Sequence, residues 1–364
     1  LDQMSQCFCW TFCIILSIFA TKRFARNLMV TIRDVAKAAG VAVSTVSAVV
    51  NNSAYVSPEL RERVEAAVRS LRYAPSRTAR NLKSGRSQLI ALSVSNLKNP
   101  FFAEIVLNAE ALAADWGYSL VVLNSGENPE REKRNVMIAR ELSCDGMIIS
   151  PVGRSDPSRW QALEGKIPLV LLAGPSESNV HDTVTLNNVS AGRQVTDYLL
   201  DMQHTRIGSV TGTTDVDPGR GRYQGMLDAM SARGVDVDTS LVRSGAFRED
   251  TAYSAARELL QLPRRPTAIY VANGIMALGV LRAISDLGLE CPRDISIVST
   301  DVVAGLPGVR PRLTRTVHPV AKMTTEAVRM LVDRLNGHAE APPRHAVFEP
   351  DFVIGDSCKP FVGY

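Results

Sequence analysis

Residues able to do covalent chemistry are present in this chain, but they are not spaced for it. Ser95 and Lys98 satisfy S-x-x-K, a serine nucleophile with a lysine one helical turn away, yet no S-D-N or K-T-G segment accompanies them. Gly219, Gly221 and Gly225 miss the phosphate-cradling G-x-G-x-x-G spacing by one residue and do not open the first strand-helix unit. His181, His204, His318, His338 and His345 show no zinc-ligand spacing and have no G-x-S-x-G serine to activate. The expectation is therefore a protein that is not an enzyme, with no catalytic residues, no metal site and no cofactor. A different chemistry sits near the front of the chain. Arg77, Arg80 and Lys83 carry charges suited to phosphates, and Leu82 stands among them as an apolar side chain able to wedge between minor-groove base steps. The competing interpretation of this stretch is a solvated linker with a stray leucine.

Charge and composition support a polyanionic partner. From Met29 to Ser87 ten basic residues stand against four acids, whereas the whole 364-residue chain has a net charge of only +4. A small basic module thus precedes a large, mildly acidic body, an asymmetry that points to nucleic acid. With 45% hydrophobic and 21% charged residues, the chain is neither disordered nor a polytopic membrane protein. Cys7, Cys9 and Cys13 crowd at the start, while Cys144, Cys291 and Cys358 lie far apart in sequence, so neither a disulfide framework nor a zinc site is expected. The body suits a reducing cytosol. The apolar run from Cys7 to Ala20 is too short to span a bilayer, and its positive charges follow it. Residues 1–28 are accordingly read as upstream sequence from a misplaced start, with a membrane signal-anchor as the rival.

The elements that must position the front-end residues are short. Thr31-Ile-Arg-Asp34 has the form of a capping box, followed by an apolar stripe of Ile32, Val35, Ala36 and Ala39 that stops at Gly40. After the turn Gly40-Val41-Ala42, the spacing predicts a second helix over Val43–Asn51. Val46, Val49 and Val50 share one face of it, with Ser44, Thr45, Ser47 and Ala48 on or near the other. Two short helices joined by a tight glycine turn have the geometry that lets the second enter a major groove; an ordinary helical hairpin is the bland alternative. Ser57-Pro58-Glu59 predicts a third helix capped by Ser57, whose stripe Val64, Ala67, Val68 and Leu71 can close a small core with the first two.

From Gln88 onward strand-like runs alternate with amphipathic segments: LIALSVS, Ala103–Trp116, YSLVVLN, Pro129–Leu142, GMIIS. A second set follows after about Asn187, with RIGSVTG, Tyr223–Ala232, Thr251–Leu260, TAIYVA, Ile275–Leu287 and ISIVST. This alternation predicts an α/β body with two doubly wound parallel sheets in two lobes, behind an all-α headpiece. Ligands of such folds lie at the strand ends, here between the lobes.

The segment TIRDVAKAAGVAVSTVSAVVNNSAYVSPELRERVEAAVRSLRYAPSRTARNL strongly resembles the headpiece and hinge of the lactose-repressor (LacI) family of bacterial transcription regulators. NPFF at Asn99–Phe102, DGMII at Asp145–Ile149, GRYQG at Gly221–Gly225, VANGIMALGVLRAISDLGL at Val271–Leu289 and PRLTRTVHP at Pro311–Pro319 resemble the family's landmarks in the family's order. The resemblance implies a helix-turn-helix headpiece over 29–75, a hinge helix and linker over 76–87, and a periplasmic-binding-protein-like effector and dimerisation domain over 88–364. Its N-lobe would be about 88–187 with 317–345 and its C-lobe about 188–316 with 346–364, the chain crossing near Asn187, Thr316 and Ala346. It further implies a cytoplasmic homodimer, most simply a repressor, that binds a near-palindromic operator in double-stranded DNA and has no membrane partner. A small-molecule effector, a sugar or related metabolite, would control operator affinity.

Carried over residue by residue, the resemblance places Thr31, Ser44, Thr45, Ser47, Ala48, Asn51, Arg77, Arg80, Leu82 and Lys83 on DNA. It places Ser95, Phe101, Phe102, Arg222, Phe247, Asn273 and Gly274 around the effector. Three departures stand out. Ala42 replaces a capping serine, Ala48 replaces a common arginine, and Gly274 replaces the usual aspartate. For the last, a different effector, an acceptor recruited from Asp215 or Asp217, or no small effector are the alternatives. In STDVV, Ser299–Val303, only Asp301 matches the family's usual stretch. The rival function is a solute-binding protein built on the same two-lobed body, against which the basic segment Met29–Gly85 argues.

Overall fold

The computed structural model describes residues 30–74, 85–153, 157–163, 167–174, 178–301, 310–337 and 341–362. The leader and the hinge positions Arg77, Arg80, Leu82 and Lys83 therefore lie outside the described residues. The chain divides into two compact units between Gly85 and Arg86.

The first unit contains α1 (Ile32–Ala39), α2 (Val43–Asn51) and α3 (Pro58–Ser70). Both halves of the capping box form: Thr31 Oγ1 accepts from the Asp34 amide, and Asp34 Oδ2 accepts from the Thr31 amide at 2.8 Å. These contacts hold the exposed Asp34 carboxyl below its ordinary range. Gly40 ends α1 in the left-handed conformation, at φ +63°. α2 starts at Ala42 with no side-chain cap. The expected cap of Ser57 on α3 is not made by its side chain; Pro58, which has no amide proton, occupies the first helical position and reduces the need for one. Val35, Ala36, Ala39, Val46, Val49, Val64 and Ala67 form the core of the three helices. The Arg63 guanidinium donates to Ala39 O at 2.7 Å, tying α3 to the end of α1.

The second unit carries two six-stranded sheets. The first consists of β1 (Leu89–Val94), β2 (Ser119–Asn124), β3 (Gly146–Ile149), β4 (Leu169–Leu172), β5 (Asp182–Leu186) and β11 (His345–Phe348), in the order β11-β5-β4-β3-β1-β2 and wholly parallel. The second consists of β6 (Ile207–Thr211), β7 (Val242–Ser244), β8 (Ala268–Val271), β9 (Ser296–Thr300), β10 (Thr314–Val317) and β12 (Asp351–Val353), in the order β12-β10-β9-β8-β6-β7, with only β12 antiparallel. Central strands such as GMII, LVLL and AIYV are buried at every residue, because helices cover both sheet faces. α4 (Pro100–Asp115), α5 (Pro129–Glu141) and α10 (Val320–Leu335) belong to the first lobe. α6 (Asn188–Asp201), α7 (Asp217–Ala232), α8 (Glu249–Leu260) and α9 (Gly274–Asp286) belong to the second.

The chain passes between lobes at Asn187, at His318-Pro319 and at Glu349-Pro350. The third passage corrects the boundary placed near Ala346, since Ala346 pairs with Val184 inside the first sheet. The second falls just beyond Thr316, which pairs with Thr300 in the second sheet. The short strands β4, β5, β7 and β10–β12 are absent from the alternation read in the sequence. Three to five residues, several of them exposed on edge strands, carry too little periodicity to be seen before their neighbours are known.

Candidate functional site

The C-terminal ends of the strands in the second unit enclose a cavity of about 490 Å³ between the two lobes. Asn99 caps α4 by accepting from the Phe101 amide, with Pro100 at the first helical position. That start brings Phe101 and Phe102 to the wall, their rings packed edge-on at 5.0 Å. Ser95, one residue beyond β1, lines the same side. The loop Pro151–Gly153 completes it and is held from behind by Glu132, which is fully buried in α5. Glu132 accepts from the Val152 amide at 2.7 Å and from Trp160 Nε1 at 3.1 Å, and pairs with Arg159 at 3.1 Å. Burial raises the Glu132 carboxyl above its ordinary range, against the pull of Arg159.

The opposite wall is polar. Arg222 in α7 is 6% exposed and donates Nε to Asn188 Oδ1 at 3.0 Å, Nη1 to Ala272 O at 2.6 Å and Nη2 to His318 Nε2 at 2.9 Å. Gly192 permits this placement, because a Cβ there would stand 2.0 Å from the Arg222 carbonyl oxygen as α6 and α7 pass. Burial lowers the proton affinity of the guanidinium, which Tyr270 and Asp301 partly restore. Tyr270 itself is pushed up to about 12 by burial, its hydroxyl paired with Thr300 Oγ1 at 2.9 Å. His318 Nδ1 lies 3.0 Å from Asp301 Oδ1.

Phe247 adds the aromatic surface of this wall. It and Ala246 both have positive φ, at +58° and +50°, a conformation that costs side-chain-bearing residues of order 1–3 kcal/mol. The ring lies over Gly212, where a Cβ would meet Phe247 Cζ at 2.0 Å. Asn273 also lines the cavity, while its Oδ1 caps α9 by accepting from the Met276 amide at 2.9 Å.

Six of the seven residues assigned to the effector, namely Ser95, Phe101, Phe102, Arg222, Phe247 and Asn273, thus line one cavity. Gly274 does not line it; it is buried in the first turn of α9. The acids on the cavity wall are Glu127, Asp215, Asp217 and Asp301. Asn188 and His318 were overlooked in the sequence. Their only advance signal was position, beside the first crossing and inside PRLTRTVHP respectively.

In the first unit, α2 turns Val46 and Val49 inward, leaving Ser44 exposed and Thr45, Ser47 and Ala48 half-buried. Asn51 donates back to Ser47 O at 2.9 Å and to Ser47 Oγ at 3.2 Å. Thr31 spends its amide and hydroxyl on Asp34, so its role in the structure is capping. The surface is small and hydroxyl-rich, backed by Arg61, which donates to Asn52 Oδ1 at 3.2 Å. Such a helix can enter a groove without steric obstruction. Among the described residues no cluster of three or more His, Cys, Asp or Glu could hold a metal ion. Burial pushes the thiols of Cys144, Cys291 and Cys358 up to about 11, 12 and 11, far from nucleophilic.

Residues 31–76 match the bacterial regulatory proteins, lacI family, and residues 196–358 match a periplasmic binding protein-like domain. The chain is 33% identical over 84% of its length to the ribose operon repressor of Escherichia coli K12, covering 93% of that protein. It is 32% identical over 91% of its length to the HTH-type transcriptional repressor PurR of Histophilus somni strain 129Pt, covering 99% of it. Among solved structures it is similar to a lac repressor dimer bound to operator and the anti-inducer ONPF, with a TM-score of 0.81 and 27% identity over 91% of this chain and 99% of that one. A complex of the transcriptional regulator CelR with cellobiose gives a TM-score of 0.68 at 31% identity, over 90% of this chain and 99% of that one.

Proposed function

The chain belongs to the LacI family of bacterial regulatory proteins, and from that premise we propose which of its residues read DNA and which sense the effector. It is a DNA-binding transcriptional regulator, a repressor by its relatives, whose activity answers to a small molecule, and it is not an enzyme. Ser44, Thr45, Ser47 and Ala48 on α2 face base edges in the major groove, where the Ala48 methyl suits a thymine methyl. Asn51 supports them through Ser47. Arg77, Arg80 and Lys83 contact phosphates while Leu82 wedges into the minor groove. Two copies of the chain pair on a near-palindromic site, as a two-fold protein requires.

The effector is a small polar ring, a sugar or related metabolite, held between the aromatic faces of Phe101 and Phe247 and the Arg222 fork. The observation that carries this is the buried Arg222–His318–Asp301 arrangement facing a cavity that is aromatic on both walls. Among the described residues no helix is long and apolar enough to cross a membrane, and the cytoplasm is the compartment in which such a regulator meets DNA. The solute-carrier reading leaves the basic three-helix unit without a purpose.

The test is selection of genomic fragments on the purified full chain, followed by release with D-ribose and cellobiose. Enrichment of one near-palindrome is expected, with log affinity falling linearly in log salt by about 0.9 per phosphate neutralised. Uniform binding of genomic DNA, with or without sugars, would sink the assignment.

A further inference from the structure

His318 occupies a position that no other residue of the cavity shares. It is the first residue of the His318-Pro319 passage between lobes, following β10 of the second lobe and preceding α10 of the first. The Val320 amide donates to its carbonyl at 2.8 Å, so the ring is carried on a tight turn at the root of α10. The ring is 5% exposed. It packs at a tilt against Phe101 of the first lobe, with centroids 5.0 Å apart, and its Nε2 and Nδ1 lie 2.9 Å from Arg222 Nη2 and 3.0 Å from Asp301 Oδ1 of the second. The charged groups around it are Arg222 from α7, Asp301 after β9 and Glu104 from α4. The last of these feels both Asp301 and His318, and it is held above its ordinary range by burial and then by the Asp301 charge.

A guanidinium has no acceptor, so at 2.9 Å from Arg222 Nη2 the His318 Nε2 must accept, and the ring proton resides on Nδ1, which lies 3.0 Å from Asp301 Oδ1 but makes no aligned hydrogen bond. We propose that His318 is a positioning residue for effector binding, a proton-sensitive latch that in its neutral form fixes the Arg222 fork and the lobe passage. Gain of a proton places N–H against N–H between two cations, and that contact must break. Arg222 keeps Asn188 and Ala272, but its third anchor is lost, and the ring moves together with the root of α10. Effector affinity therefore falls on acidification, by up to about tenfold per pH unit for one linked proton. This rests on the cavity being the effector site.

The DNA-binding segment from Thr31 to Arg86 contains no histidine. Operator binding that changes between about pH 5 and 8 consequently reports on the body. The direct test needs no effector: heteronuclear NMR of the full chain, following the His318 imidazole and the Arg222 guanidinium across that range. One shared midpoint is expected. Arg222 signals that ignore the His318 titration would overturn the latch.

The second arm measures D-ribose and cellobiose affinity against pH. His318→Gln, whose amide oxygen can still accept from Arg222, should stay within a few-fold of wild type at neutral pH and lose the pH slope. His318→Phe keeps the ring packing and should lose more than tenfold in affinity at every pH, with its thermal midpoint retained as the control for folding. A pH slope unchanged in His318→Gln would also overturn the proposal. If neither sugar perturbs any cavity resonance, the effector assignment fails for those sugars, while the NMR midpoints still decide the latch.

Discussion

Phe247 and Gly212 show how a single missing methyl group shapes the cleft. The ring occupies the space that any side chain at position 212 would need, and two consecutive left-handed residues hold it there. Gly212→Ala should therefore push the ring into the cavity. The expected outcome is at least a tenfold loss of effector affinity by calorimetry, with operator affinity in the absence of effector within about twofold and a stability cost of about 1–3 kcal/mol. Equal losses in both binding assays would show that the glycine serves the fold alone. Phe101, Phe102, Arg222 and Asn273 could be found in the sequence because each sits in a motif whose order along the chain is informative. His318 and Asp301 could not be paired that way. Their contact joins the ends of two separate strands, β9 and β10, and no local spacing encodes it.

At the scale of elements, the helix starts decide much of the headpiece. Thr31 satisfies an amide at the start of α1, whereas Ala42 leaves the corresponding amide of α2 without a side-chain partner. Ala42→Ser should stabilise the unit by about 1 kcal/mol and Thr31→Ala should cost about the same, both read as slowed or accelerated hydrogen exchange in α1 and α2 of the full chain. Both caps, the one present and the one missing, were legible from residue type and position, since capping is a local property. Ser57 makes no such cap, because the rotamer that would cap α3 depends on surroundings that the local sequence does not reveal.

The junction of β5, α10 and β11 is a different case. Asp182, 2% exposed, accepts from Arg334 at 2.6 Å and from Arg344 at 2.9 Å, and both arginines lie more than 150 positions from it in the chain. Asp182→Asn leaves two guanidinium groups short of charge and should cost about 3–5 kcal/mol in thermal unfolding.

Across the whole molecule, that same cluster sets an acid limit. Burial alone would raise the Asp182 carboxyl, but hydrogen bonds from Arg334 and Arg344 outweigh it and hold the folded-state value below the ordinary one. Its contribution to stability is complete above the unfolded carboxylate value of about 3.9 and disappears as pH falls through the lower folded value. Wild type should lose stability over that acid window, and Asp182→Asn should show a shallower acid limb in urea titrations at stepped pH. An unchanged acid limb in the variant would assign acid sensitivity to other carboxylates.

The residues themselves determined the basic three-helix front end, its capping box, its small hydroxyl-bearing helix face and the βα alternation of the body. Each of these is written within one or two turns of backbone, where periodicity and cap chemistry act directly. Only the tertiary structure decided that Gly274 stands off the cavity wall, that the third passage between lobes falls at Glu349-Pro350, and that His318 joins Arg222 to Asp301. Those depend on which strand ends meet once both sheets are closed, and burial and electrostatics between distant segments exist only after that closure.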